Sequence, residues 1–137
     1  MGCVMKFLVA EDDFASRNFL QFFLRKHGEV DVAVNGAEAL DVYKFALEEN
    51  DPYQYVFMDI MMPEKNGLDA AREIREIERE FKVAPAKESV IIMVTALGDV
   101  KTVFEAFNKS EASDYIVKPI TAESLTEKLK EMGVING

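Results

Sequence analysis

Cysteine occurs once, at Cys3, so no disulfide can close within the chain, and a reducing compartment suits it. Histidine also occurs once, at His27 in the stretch RKHG. There it reads as a cation near a helix C-terminus, where the helix dipole favours it, ahead of any metal-binding role. No apolar run reaches the length of a membrane span. The start, MGCVMKFLVA, lacks the charged n-region and cleavage site of a secretory signal, and Met5 and Lys6 do not continue a myristoylation pattern. Basic residues are outnumbered, 16 Lys and Arg against 25 Asp and Glu. A net charge of −9 argues against nucleic acid and an anionic membrane as direct partners, and suits either a cation site or a solvated acidic surface. A cytoplasmic location is the expectation.

What is present is the balance of one soluble globular domain. With 137 residues, 49% apolar and 30% charged, the chain can bury a real core as a single unit spanning 1–137. No internal repeat or low-complexity linker divides it. Three continuously apolar runs, KFLVA (6–10), YVFMDI (55–60) and SVIIMVT (89–95), read as strands covered on both faces. EVDVAV (29–34) alternates and fits an outer strand, and DYIVK (114–118) is a fifth, shorter candidate.

Helical periodicity fills the intervals. Phe19, Leu20, Phe22, Phe23 and Leu24 mark a first apolar face, with Gly28 as its expected stop. Asn35 and Glu38 have the spacing of a capping box ahead of Ala39, Leu40, Tyr43 and Leu47. Asn35-Gly36 could also form a hairpin turn, but the periodicity that follows is helical. Leu68, Ala71, Ile74, Ile77 and Phe81 mark a third helix whose charged face, REIREIERE, reads as solvated. Val100, Val103, Phe104 and Phe107 mark a fourth. Thr121 caps a fifth, with Leu125, Leu129 and Met132 inward. Five strand–helix units predict a parallel sheet with helices on both faces, and ligands in such sheets bind at the carboxyl ends of the strands.

Those ends are chemically unusual. The first strand runs into Glu11-Asp12-Asp13, the third ends at Asp59, the fourth at Thr95 and the fifth at Lys118-Pro119. Taken singly each has a plainer reading: an acidic helix cap, a loop residue, a structural hydroxyl, a turn. Together, on four different strands, they converge on one rim. Two carboxylates about 4 Å apart repel by roughly 4 kcal/mol at an effective dielectric near 20, so the cluster needs counter-charge. A lysine and a divalent cation supply it. Oxygen ligands without clustered His or Cys point to Mg²⁺. Mg²⁺ uses one or two carboxylates and takes phosphate oxygens, which leaves one carboxylate as a nucleophile toward phosphorus.

These residues, in the segments FLVAEDD, VFMDIMMPEKNGLDAAREIR, IIMVTAL and SDYIVKPI, resemble the receiver domain of two-component response regulators, the chemotaxis-regulator-like family. The match covers about Lys6 to Met132. It implies a flavodoxin-like α/β fold, with strand order 2-1-3-4-5 and five helices. It makes Asp59 the phosphoacceptor, Asp12 the direct Mg²⁺ ligand, Glu11 a ligand acting through water, and the backbone carbonyl of Met61 a further ligand. Thr95 and Lys118 become the hydroxyl and amine that meet the phosphoryl group. Thr95 and Tyr115 become the switch that reshapes the surface of the fourth helix, fifth strand and fifth helix. A cis Lys118-Pro119 bond is implied too. The implied partners are a sensor histidine kinase or histidine phosphotransfer protein and a downstream target, with weak homodimerisation on phosphorylation possible in the family.

The chain departs from the pattern at Glu111, where glycine is frequent, and in a long connection, FKVAPAKES. Met61 and Leu97 are both bulky and are expected to flank the phosphoryl group and slow its hydrolysis. Three functions remain in competition. The first is a phosphorylated signalling module that turns over no external substrate, and the second is a non-phosphorylated binding module. The third is an Mg²⁺-dependent phosphatase with an aspartyl intermediate, which would want an acid where Met61 stands. Whether the chain is a stand-alone receiver or a piece of a longer protein is open at this level.

Overall fold

The computed structural model describes residues 5–96, 101 and 112–135. Five parallel strands form one sheet in the order β2-β1-β3-β4-β5: β1 (Lys6–Ala10), β2 (Glu29–Ala33), β3 (Tyr55–Asp59), β4 (Val90–Ala96) and β5 (Asp114–Lys118). The helices are α1 (Phe14–Leu24), α2 (Gly36–Glu48), α3 (Gly67–Glu80) and α4 (Ala122–Glu131), with a 3-10 turn at Pro85–Lys87 inside the long connection. Thus four α-helices lie among the described residues, and α4 is the last predicted helix. The pattern of Val100, Val103, Phe104 and Phe107, like Leu97 and Glu111, lies outside the described residues.

Strand alternation divides the core in two. Phe7, Val9, Phe57, Ile92 and Val94 face one layer, where Leu20, Leu24, Leu125 and Leu129 from α1 and α4 cover them. Leu8, Ala10, Val56, Met58, Ile91 and Met93 face the other, under Ala39, Tyr43, Ala71 and Ile74 from α2 and α3. Both faces of β1, β3 and β4 are therefore apolar, as continuous hydrophobic runs require. The edge strand β2 keeps its alternation, with Glu29 and Asp31 outward.

Caps set where the helices begin. The side chains of Asp13, Asn35, Asn66 and Thr121 accept hydrogen bonds from the backbone N–H groups of Ser16, Glu38, Asp69 and Ser124. The expected box at Asn35 is shifted: Glu38 Oε1 accepts from the Val34 amide at 3.1 Å instead of from Asn35 itself.

Three expectations need correction. α1 ends at Leu24, before Gly28. Gly28 serves a close approach instead, because a β-carbon there would stand 2.1 Å from the Met5 carbonyl oxygen. Phe22 is exposed, with Arg25 and Lys26 against its ring, so only part of the first apolar face is core. The charged face of α3 is not all solvated, since Arg75 and Glu78 are buried. Arg75 Nη1 donates to Glu78 Oε1 and to the Ser89 carbonyl, both at 2.8 Å. Glu78 Oε2 accepts from Tyr43 Oη and the Ser89 amide, also at 2.8 Å. Burial and the neighbouring Glu78 carboxylate push the Tyr43 phenol up, so it stays a donor. This network ties α2 and α3 to the start of β4, where the hydrogen bonds satisfy an otherwise costly buried pair.

Candidate functional site

The parallel register brings the predicted residues to one level. Ala10 pairs with Met58, Asp59 with Val94, and Ala96 with Lys118. Glu11, Asp59 and Thr95 thus emerge from three adjacent strands within about a residue of the same height, and Lys118 closes the row from β5. Glu11 is held there because its amide continues the ladder, donating to the Ala33 carbonyl at 3.0 Å.

Carboxylate oxygens of Glu11, Asp12 and Asp59 all lie within 4.8 Å of one another. Glu11 and Asp59 are buried and Asp12 is exposed, so the cluster opens to solvent on one side. Lys118 Nζ donates to Asp59 Oδ2 at 3.0 Å and lies 3.0 Å from Glu11 Oε1. Asp59 Oδ1 accepts from the Met61 amide at 3.1 Å. The other Glu11 oxygen accepts from the Asp13 amide at 3.1 Å. The Lys118-Pro119 peptide bond is cis.

The charges respond to this crowding. Burial pushes the Glu11 carboxyl up to about 7, and the neighbouring Asp59 carboxyl adds to the rise, against the pull of Lys118 and the Asp13 amide. Burial works against the Lys118 ammonium, but its bonds to Glu11 and Asp59 outweigh that and raise its pKa. Glu11 Oε1 has only the Lys118 ammonium, 3.0 Å away and shared with Asp59, as a counter-charge among the described residues. Three carboxylates around one ammonium, in an all-oxygen set with no sulfur or imidazole, fit a hard cation such as Mg²⁺.

Two predicted switch residues are placed but not joined. Thr95 Oγ1 is buried and, among the described residues, has no hydrogen-bond partner. Tyr115 is surface-exposed, with Lys128 Nζ 5.9 Å from its ring centre. The Met61 side chain is 72% exposed. Asp13 serves α1 as its cap and is not part of the cluster.

Sequence reasoning missed Arg17 and Gly67. Arg17 Nη1 reaches back from the first turn of α1 to the carbonyls of Glu11 and Asp12, at 3.0 and 3.3 Å, and so fixes the acidic loop. An arginine one turn past an N-cap is too common to single out. Gly67 opens α3 with its amide on the Ile60 carbonyl at 2.8 Å, packed against the backbone of Asp59. The signal for it was the glycine closing MMPEKNG.

Comparison with known proteins agrees with this geometry. The family model described as "Response regulator receiver domain" matches residues 7–130. The transcriptional regulatory protein SrrA of Staphylococcus aureus is 33% identical over 126 residues, which are 91% of this chain and 46% of SrrA. The chain therefore spans about half the length of the curated relatives it matches. Among solved structures, it is similar to one from the co-crystal of the Saccharomyces cerevisiae histidine phosphotransfer signaling protein Ypd1 and the receiver domain of its downstream response regulator Ssk1. That match has a TM-score of 0.79 and 27% identity, covering 97% of this chain and 93% of the other. It is also similar to Vibrio cholerae chemotaxis protein CheY4, with TM-score 0.74, 25% identity and 94% and 98% coverage. On sequence and fold together, this chain belongs to the response regulator receiver domain family.

Proposed function

We propose that the chain accepts a phosphoryl group on Asp59 from a sensor histidine kinase or a histidine phosphotransfer protein. This modification then reshapes the surface around β5 and α4 to alter binding of a downstream target. The observation that carries the reading is the meeting of Lys118 Nζ with Asp59 Oδ2 at 3.0 Å inside a three-carboxylate cluster. Buried carboxylates held this close are costly unless something uses them.

Transfer breaks the P–N bond of the donor phosphohistidine and forms a P–O bond to an Asp59 oxygen, with the imidazole keeping the electron pair. The Met61 amide and Lys118 Nζ hold the two Asp59 oxygens in place before attack. Lys118 also stabilises charge on the incoming group. Glu11, Asp12 and Asp59, with the Met61 carbonyl, would hold Mg²⁺, which supplies neutralisation of the phosphoryl oxygens when bound. No residue here turns over an external substrate in this reading, and the module works in the cytoplasm beside its phosphoryl donor.

Switching follows from differential contacts. The new group adds about two negative charges and fresh acceptor oxygens. Thr95 Oγ1, unpartnered among the described residues, gains an acceptor there. Its movement frees space for the outward Tyr115 ring to turn in, a two-state shift biased by contacts made only in the phosphorylated form.

The test is intact-mass spectrometry after incubation with acetyl phosphate and Mg²⁺. One phosphoryl group should appear, and Asp59→Asn should abolish it. No added mass, or mass that survives Asp59→Asn, overturns the proposal. Turnover of a small phosphoester would favour the phosphatase reading instead.

A further inference from the structure

Away from the acceptor rim, toward the N-terminal ends of the strands, a cavity of about 440 Å³ lies between α2 and the β2 side of the sheet. Its α2 wall is a stripe of Asp41, Phe45 and Glu49, four residues apart and so stacked on one helix face. Asp31, Asp51, Lys6 and Tyr53 line the cavity as well. Phe45 is 61% exposed, an aromatic ring left open in a concave site.

The cavity is charged in one direction. Four carboxylates line it against one ammonium, and that ammonium is engaged. Lys6 Nζ donates to Asp51 Oδ2 and to the Asp51 carbonyl, each at 2.9 Å, and lies 4.6 Å from the Tyr53 ring centre. Asp31 is engaged as well, accepting from Tyr53 Oη at 2.6 Å. Asp41 and Glu49 have no ion-pair partner among the described residues. Lys6 shows what the site does with a cation: it seats it between a carboxylate and an aromatic face. Phe45, between Asp41 and Glu49 in sequence, offers a second ring beside carboxylates, with no cation over it among the described residues.

We propose that this cavity docks a basic segment of a partner protein, with two arginine or lysine side chains flanking Phe45, one charge at Asp41 and the other at Glu49. Other occupants fit worse. The four carboxylates do not converge as a metal cluster does, since among the described residues only Glu11, Asp12 and Asp59 form such a group. An anion or nucleic acid meets repulsion. A second copy of this chain carries the same net charge of −9, so its approach meets net repulsion. Asp41 and Glu49 stand about 12 Å apart along the helix, from its 1.5 Å rise per residue, so a segment with two basic residues spans them where a single small cation cannot. No residue of the acceptor site takes part, so the inference stands independently of phosphorylation at Asp59.

The test titrates the full chain into a fluorescein-labelled hexapeptide of arginine and leucine at physiological ionic strength, read by anisotropy. The same peptide with glutamate for arginine is the control. The basic peptide should bind and the acidic one should not. Phe45→Ala, and separately Asp41→Asn with Glu49→Gln, should each weaken binding by about tenfold or more, as central contacts do. Glu76→Gln with Glu80→Gln, the same charge change at exposed positions on α3, should alter it by less than about twofold. Absence of binding, equal loss with the α3 pair, or an unchanged Phe45→Ala variant each overturns the proposal. Amide shift mapping on the unmutated chain gives a readout that does not depend on variants. Shifts centred on 41–53 support it, and shifts centred on 11–13 refute it.

Discussion

Gly67 lies so close to Asp59 that a β-carbon on it would stand 2.1 Å from the Asp59 carbonyl oxygen and 2.8 Å from the carbonyl carbon. The obstacle is backbone, not the end of a flexible side chain, so Gly67→Ala must push the acceptor strand or the start of α3. Overpacking of this kind costs about 1–3 kcal/mol. The expected outcome is a lower urea midpoint and a labelling rate with acetyl phosphate that falls by about tenfold, because misplacement near 1 Å is enough for such a loss. Gly36→Ala should act more mildly on the same loop, since its β-carbon would meet the Lys65 carbonyl oxygen at 2.2 Å, one step removed from Asp59. Labelling that proceeds at the unmutated rate in Gly67→Ala would show that the contact does not position the acceptor.

The acidic cluster predicts how stability varies with pH. The Glu11 carboxyl has a folded pKa raised by burial from the ordinary 4.5 to about 7. Between those values the folded chain holds a proton that the unfolded chain has released, so stability falls as pH rises through this window. Lys118 acts in another range: its raised pKa contributes stability that is present below its ordinary 10.5 and lost above it. Thermal unfolding in chelator should therefore show a falling midpoint from pH 4.5 to 7, and Glu11→Gln should flatten that slope. Added Mg²⁺ should raise the midpoint more at pH 7.5 than at pH 5.5, because binding there displaces less proton. A slope of opposite sign in the metal-free protein would refute the assignment.

Arg75 and Glu78 carry the clearest stability prediction. Their 2.8 Å ion pair is buried, and its hydrogen bonds run to Tyr43 and Ser89. Removing one partner leaves an unpaired buried charge, at a cost of about 3–5 kcal/mol. Glu78→Ala should lower the thermal midpoint by roughly 10 °C or more. Replacing both, as Arg75→Met with Glu78→Leu, should destabilise less than Glu78→Ala alone, since no orphaned charge remains. Unfolding scans on the two variants decide this, and a double variant as unstable as the single one would contradict it.

That pair also shows why sequence legibility was uneven. The strands were readable because a two-sided apolar environment leaves continuous runs such as KFLVA and SVIIMVT. The site was readable because a parallel sheet gathers strand C-termini, so Glu11, Asp12, Asp59, Thr95 and Lys118 could be placed on one rim before any geometry was known. Arg75 and Glu78 were not readable, because a charged helix face looks the same whether water or Tyr43 and Ser89 satisfy it. Gly28 misled for a related reason: its role depends on Met5, far off in sequence, and not on the helix beside it. The cavity at Phe45 combines one face of α2 with single residues from β1 and β2 and two from the loop before β3, so no local pattern announces it.

Met61 bears on how long a phosphoryl group would last. Its amide is tied to Asp59 Oδ1 at 3.1 Å, so the residue cannot drift from the acceptor. Its side chain is 72% exposed, and we propose that it lies on the side of the acceptor from which water approaches. A bulky apolar group there cannot orient an attacking water and obstructs its path. An amide could hold that water by hydrogen bonding, as a positioned polar group does in other phosphoryl transfers. Met61→Asn should therefore shorten the phosphorylated lifetime by a factor of about ten, in line with the contribution of one water-positioning group. Stability should change little, because an exposed side chain is removed. The measurement is loss of the phosphoryl mass with time after the donor is removed, in the presence of Mg²⁺. An unchanged or slower loss in Met61→Asn would show that the side chain does not control access of water to Asp59.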